Sequence, residues 1–348
     1  MASLSMEVTA AAAGRPASLE TIYNPSEQGA LFWTSTGRSA LRPVLLYLRE
    51  MGALRDKNAE VLVPRWACLS LYHTFRKVCF PTLQDTPALA GVLAYHQYGF
   101  PQRMDRIAER CHARGLFLLE DCVNSVFDGP AHGVSDYGSA SIFSLSKIFH
   151  TTLGGALLVR DEGMKEYCNR YFRQDERWIG RLSYCARWLV EHSGARPSAQ
   201  RFQELVYGIS DYGRLPMAAT LRSVRRQLRH GILARRQETY ERLRNEFADT
   251  PFFHGLEPGV IPYLVPLFGP VAFLARLSRK LVEKGWETGI YHFDEARDVF
   301  EPRFVPCVPL PIHQEIAFRR LDSLIEVIRR EWKNYDSSFQ KQPDHRQL

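Results

Sequence analysis

A lysine and an aspartate suggest the chemistry this chain could do. Lys147 lies in SIFSLSKIFHTTLGGALLVRD, residues 141–161, a mostly apolar stretch in which Gly154 and Gly155 follow the amine. Asp121 stands 26 residues earlier, at the end of LFLLED. Lysine is almost never fully buried unless paired. The simplest reading of Lys147 alone is therefore a stem laid along apolar surface with its ammonium in water. The chemical reading is that a partly desolvated lysine offers a neutral amine, able to form a Schiff base with a carbonyl or with pyridoxal phosphate. A strand-end carboxylate is by itself a cap or a surface group. Beside a downstream lysine it gains a use, because it can pair with a protonated pyridine nitrogen and keep the ring an electron sink.

A third part lies upstream. STGRSALRPVLLYLREMG begins with small polar residues and Gly37, then turns helical. A helix start presents free N–H groups and the positive end of its dipole to a phosphate. Arg38 adds charge there, and Ser39 stands beside it. Pro43 is poorly tolerated deep in a helix, so the helix is expected to begin close to Arg38 or Ser39. Ser144 and Ser146, flanking Lys147, are further hydroxyl candidates for the same phosphate.

These residues need a frame, and the hydropathy pattern provides one. EVLVP (60–64), AGVLAY (90–95) and LFLLED (116–121) read as buried strands. PQRMDRIAERCHARG between the last two has Met104, Ile107, Ala108 and Cys111 at helical spacing, Pro101 near its start and Gly115 as a stop. Strand, helix and strand in that order imply right-handed crossovers and a parallel sheet, with ligands beyond the carboxyl ends of the strands. Asp121 lies at such an end.

Residues 216–247 read as one long helix with Leu221, Val224, Leu228 and Ile232 as its apolar stripe. Arg222, Arg225, Arg226, Arg229, Arg235 and Arg236 make its other face, expected to be solvated. VIPYLVPLF, VAFLARLSRKLVEKG, WETGIYHF and HQEIAFRRLDSLIEVIRREW then alternate strand and helix as a smaller α/β unit.

Bulk properties narrow the classes. The 348 residues are 45% hydrophobic and 24% charged, an ordinary globular balance, with a net charge of +7. That charge suits phosphorylated small molecules as well as nucleic acid. No zinc-finger spacing or RNA-binding signature supports the latter, so no nucleic-acid partner and no metal are expected. The seven cysteines are odd in number, scattered and without a CxxC pair, a pattern of reduced thiols in the cytoplasm. MASLSMEVTAAAAGRP lacks the basic start and long apolar core of a secretory signal. No run has the length to cross a bilayer. The expected division is a flexible leader over residues 1–25, a large cofactor-binding domain over 26–247 and a small domain over 248–348.

The order TGRSAL, VPRWACLSL, GFPQRMDRIAERCHARGLFLLEDC and FSLSKIFHTTLGGALL resembles the DegT/DnrJ-type sugar aminotransferases. The likeness is clearest from Phe32 to Val159 and continues more faintly through PLPIHQEI and the final helix. It implies a fold-type I pyridoxal-phosphate enzyme. Lys147 matches the lysine that bonds the cofactor and moves the proton, and Asp121 matches the partner of the pyridinium nitrogen. Arg38 and Ser39 fall at the phosphate-binding helix start. Asn124 falls where the family has Gln or His near the cofactor's phenolic oxygen, and Ser144 falls near its phosphate-binding serine. The loop from serine to lysine is two residues shorter than the family pattern, which makes Ser146 an alternative. Cys68 occupies the place of the ring-stacking aromatic. Trp66, two residues earlier, would share its face on a strand and could cover the ring. SDYGRLPM, with Tyr212 and Arg214, matches the family's substrate-contacting segment weakly.

The resemblance implies a cytoplasmic homodimer transferring an amino group from glutamate to a keto sugar, nucleotide-linked. The competing readings are another pyridoxal-phosphate reaction, such as dehydration or processing of an amino-acid-derived metabolite, and a non-catalytic nucleotide or nucleic-acid binder.

Overall fold

A computed structural model of the chain describes residues 18–24, 27–126, 135–173, 185, 218–253 and 261–339. Seven strands form the larger sheet: β1 (Ala30–Thr34), β2 (Glu60–Leu62), β3 (Phe80–Thr82), β4 (Leu89–Tyr95), β5 (Phe117–Asp121), β6 (Ala140–Ser144) and β7 (Gly155–Val159). Their spatial order is β1-β7-β6-β5-β4-β2-β3. Only β7 opposes its neighbours; the pairs among β2, β3, β4, β5 and β6 are parallel. This is the expected α/β fold with a mostly parallel sheet. The near-continuous apolar runs of β4, β5 and β7 follow from it, since a parallel sheet is covered on both faces.

Ahead of the sheet lies α1 (Leu19–Tyr23). The helices α2 (Gly37–Glu50), α3 (Leu69–Arg76), α4 (Met104–Arg114), α5 (Leu145–Ile148) and α6 (Glu162–Arg173) alternate with the strands. α4 buries Met104, Ile107 and Cys111 and stops at Gly115, whose φ of +65° is the left-handed cap that glycine adopts freely. α2 begins at Gly37, a residue or two before the expected start, because Thr36 caps it. Pro43 thus sits inside the helix and cannot donate to the Ser39 carbonyl.

The long basic helix is in fact two, α7 (Ala218–Arg229) and α8 (Ile232–Glu246), broken where Gly231 takes φ +71°. The apolar stripe survives the break: Val224, Ile232 and Leu233 pack with Leu145, Ile148 and Phe149 of the lysine segment. Solvation of the arginine face holds for Arg225, which pairs with Glu20 in an exposed ion pair. It fails for Arg236, which is fully buried.

The smaller sheet has the order β8-β10-β9, with β8 (Leu264–Phe268), β9 (Tyr291–Asp294) and β10 (Phe304–Pro311) all antiparallel. α9 (Val271–Glu283) and α10 (Phe318–Phe339) accompany it. Sequence reading misses β10, the central strand, because Pro306, Pro309 and Pro311 argue against an interior strand. Antiparallel pairing alternates positions that exchange hydrogen bonds with positions that do not, which leaves room for residues lacking an N–H. Phe273, Leu277, Leu324 and Ile328 fill the core behind this sheet, joined by Tyr240, Leu243 and Phe247 of α8. Each such side chain contributes about 1.5–3 kcal/mol by leaving water.

Candidate active site

Lys147 is presented by the single turn α5 at the carboxyl end of β6. Leu145 and Ile148 are buried on either side of it, which leaves the lysine facing outward. The Gly-Gly pair explains how the turn is held. Leu145 N–H donates to the Gly154 carbonyl at 2.9 Å, and Gly154 N–H donates to the Ser35 carbonyl at 2.7 Å. Gly154 adopts φ +142°, and a Cβ on Gly155 would sit 2.4 Å from the Thr36 carbonyl carbon. Glycine is therefore required for the start of α2 to press against the lysine turn. A Cβ on Gly37 would meet Val123 Cγ1 at 2.9 Å. The helix start, the lysine turn and the residues after β5 thus form one contiguous surface at the strand ends.

Asp121 closes β5 and is only 4% exposed. Its Oδ1 accepts the Val123 N–H at 3.1 Å. Burial pushes the carboxyl up to about 7, although the Val123 hydrogen bond and the nearby Lys147 amine pull it down. A buried carboxylate in this condition is short of cationic partners. Asn124, equally buried, donates through Nδ2 to Tyr95 Oη. Its Oδ1 has no hydrogen-bond partner among the described residues. Tyr95 pairs with Asp121 in the β4–β5 register, and burial followed by the Asp121 charge raises its phenol well above the ordinary range. Lys147 Nζ lies 5.1 Å from the centre of the Tyr263 ring.

The opposite face of β5 has a separate task. Glu120 accepts N–H bonds from Ser135 at 2.8 Å, Tyr137 at 3.0 Å and Gly138 at 2.7 Å. His96 Nδ1 accepts the Gln102 N–H at 3.1 Å, so its Nε2 carries the proton and faces Glu120 at 3.3 Å. Burial would raise the Glu120 carboxyl, but His96 and these main-chain donors hold it below the usual range. This network anchors the strand end that carries Asp121. Cys122 adjoins it, and burial pushes its thiol well up.

The predicted site residues are placed unequally. Asp121, Asn124 and Lys147 converge. Ser144 Oγ lies 3.4 Å from Ser146 Oγ, so both hydroxyls flank the lysine together. Arg38 is half-buried in the first turn of α2. Ser39 is turned inward by its capping box: its hydroxyl accepts Thr36 N–H and donates to the Thr36 carbonyl, both at 2.8 Å. Its own N–H is taken by Thr36 Oγ1.

Trp66 stacks on His292 at 4.8 Å and 6°, against the smaller sheet, and is 48% exposed. The same-face argument fails for it because β2 ends at Leu62 and residues 65–66 form a turn. It lines a cavity of about 210 Å³ with Tyr95, Gln97 and Asp294. Cys68 instead stands at the residue before α3, where its side chain makes no cap hydrogen bond and its Sγ lies 3.1 Å from Ser70 Oγ. Tyr212 and Arg214 lie outside the described residues. Tyr95 and Tyr263 were not foreseen. A strand-end position beside Asp121 could have signalled Tyr95, whereas nothing local marks Tyr263.

The donor set fits pyridoxal phosphate. It offers an amine on a fixed turn, a buried acid in want of a cation, an unpaired buried acceptor, and serines beside a helix start.

The model of the DegT/DnrJ/EryC1/StrS aminotransferase family matches residues 84–288. GDP-perosamine synthase of Escherichia coli O157:H7 is 26% identical over 143 residues, a match covering 38% of this chain and 37% of that protein. A DegT DnrJ EryC1 StrS aminotransferase from Brucella abortus superposes with a TM-score of 0.60 at 15% identity, over 88% of this chain and 87% of that one. NtdA from Bacillus subtilis, solved with bound cofactor PMP, superposes with a TM-score of 0.59 at 13% identity, over 88% and 74% of the two chains. At these identities the structures speak for the fold.

Proposed function

The chain belongs to the DegT/DnrJ/EryC1/StrS aminotransferase family, and from that premise we propose that it is a pyridoxal-phosphate transaminase moving an amino group from glutamate to a nucleotide-linked keto sugar. The observation that carries this reading is the buried Asp121 carboxyl beside the outward-facing amine of Lys147. Bound pyridoxal phosphate supplies an electron sink and a carbonyl for the donor's amine. Asp121 gives its charge to the protonated ring nitrogen, and the Glu120–His96 network keeps that carboxylate in place. Lys147 would bond the cofactor, and its neutral amine would be placed to take the proton from the donor's α carbon. Proton transfer by a positioned amine is worth roughly two to four orders of magnitude in rate. Arg38, the amides of the α2 start and the Ser144–Ser146 pair hold the phosphate. Asn124, braced by Tyr95, would offer its remaining Nδ2 hydrogen to the phenolic oxygen.

The same reading divides the chain near residue 247 and makes it a two-fold dimer acting in the cytoplasm, with Tyr212 or Arg214, both outside the described residues, expected to serve the partner's site. No helix among the described residues is long and apolar enough to cross a membrane. Borohydride reduction of the protein supplied with pyridoxal phosphate should fix the cofactor mass on the Lys147 peptide. Labelling of another lysine, or of none, would sink the assignment. For the dimer, an inactive Lys147→Ala subunit and an inactive Arg214→Ala subunit should regain activity on exchange. Proven exchange without recovery argues against the shared site.

A further inference from the structure

Arg236 poses a question the proposed reaction leaves open. It is 1% exposed, and burial lowers its guanidinium to about 10. Among the described residues its hydrogen-bond partners are all neutral. One terminal nitrogen donates to Gln314 Oε1 at 2.8 Å. The other donates to the main-chain carbonyls of Pro262 at 3.1 Å and Tyr263 at 2.9 Å. No counter-ion faces it among the described residues, and a buried charge so placed costs several kcal/mol, so the grip it provides needs a use. The planar fork of arginine lets one nitrogen take the two successive carbonyls while the other takes Gln314, a fixed span that a point-charge lysine lacks.

What it grips is the segment beneath the lysine. Tyr263 N–H donates to the Tyr98 carbonyl at 2.7 Å, so its main chain is held from both sides. A Cβ at Gly99 would sit 2.7 Å from the Asn124 carbonyl oxygen and 3.3 Å from Tyr263 N, so this segment also abuts the Asp121 turn. The Tyr263 ring then lies under Lys147 Nζ at 5.1 Å, inside the range of about 6 Å in which a ring face attracts a cation.

We propose that Tyr263 is a further catalytic residue, its ring face holding the side chain of Lys147 in its ammonium form, the state it takes on receiving the α-carbon proton, and that Arg236 positions the ring. The inference rests on the role given to Lys147 above. In such a reaction the amine leaves the cofactor in each half-reaction and must stay within reach of the donor's α carbon. A free lysine side chain carries about 2 kcal/mol of rotamer entropy, which would disperse it; the ring holds it on station.

The test reads the amine directly. The full-length chain without added cofactor is treated with formaldehyde and cyanoborohydride, and methylation of the Lys147 peptide is followed by mass spectrometry against exposed lysines as internal standards. A ring-held ammonium is protected. Tyr263→Leu should speed methylation of Lys147 by about 2- to 5-fold, the worth of one cation–π contact at an exposed site, while Tyr263→Phe, which keeps the ring, should match the parent. Arg236→Met should speed it in the same sense. Combined with Tyr263→Leu it should add nothing further, as expected of two residues acting through one contact. Methylation unchanged in Tyr263→Leu, Tyr263→Phe behaving like Tyr263→Leu, or multiplicative effects in the double variant would each overturn the proposal. If Tyr263→Leu does not fold, Arg236→Met decides: protection retained there overturns it. Borohydride fixation of pyridoxal phosphate is measured in parallel. Its failure at Lys147, with ring-dependent protection intact, removes the transaminase reading and leaves the contact standing.

Discussion

Asp121→Asn tests the electrostatics of the site through folding rather than turnover. In the folded chain without cofactor, burial pushes the Asp121 carboxyl from 3.8 up to about 7. In the unfolded chain it ionises near its ordinary value. Between pH of about 4 and about 7 the folded state therefore holds a proton that the unfolded state has released, so stability falls as pH rises through that window and stays lowered above it. The full displacement corresponds to on the order of 4 kcal/mol. The amide of the variant carries no charge, and its oxygen still accepts the Val123 N–H. Without cofactor, the variant should be more stable than the parent by a few kcal/mol at about pH 8 and nearly equal to it at about pH 4. Urea unfolding followed by tryptophan fluorescence across that range measures the difference. Pyridoxal phosphate should reverse the order, since only the parent has a carboxylate to pair with the ring nitrogen. A difference independent of pH, or a cofactor-free parent that is the more stable at about pH 8, refutes the reasoning.

Other consequences concern the frame. Gly155→Ala would drive its methyl against backbone, 2.4 Å from Thr36 C and 2.7 Å from Gly37 N, and should cost about 1–3 kcal/mol in urea titrations while weakening cofactor retention. Glu120→Ala strips the acceptor from buried N–H groups at Ser135 and Gly138. At about 1–3 kcal/mol per orphaned group, it should lower stability by about 3 kcal/mol, read from the urea midpoint. Cys68 and Cys185 are exposed and the other five cysteines are buried. Iodoacetamide should therefore modify those two in the native protein and all seven after denaturation, as counted by intact mass; rapid native labelling of Cys122 would contradict its burial.

The parts of this protein legible in its sequence are those made by neighbours along the chain. β4, α4 and β5 announce themselves because periodicity, the stop at Gly115 and the apolar runs are local, and their order dictates a parallel sheet with its site at the strand ends. Asp121 can be placed at such an end, since a charged residue closing a buried run has few places to go, whereas the proposed role of Lys147 comes from the motif around it. Gly154 and Gly155 could be noticed, but their reason, the close approach of Thr36 across 118 residues, could not. The break at Gly231 hid inside a periodic stripe because both halves pack against the same apolar surface. β10 stayed hidden behind its prolines, which antiparallel pairing tolerates at positions that exchange no hydrogen bond. Trp66 went to His292 because the chain leaves the strand after Leu62, and Ser39 turned inward because Thr36 stands three residues before it. Arg236 looks like one more surface arginine on a basic helix. Only the packing of α8 against the segment before β8 buries it and sets Tyr263 under Lys147, because which face of a helix meets which loop is decided by contacts between segments distant in sequence.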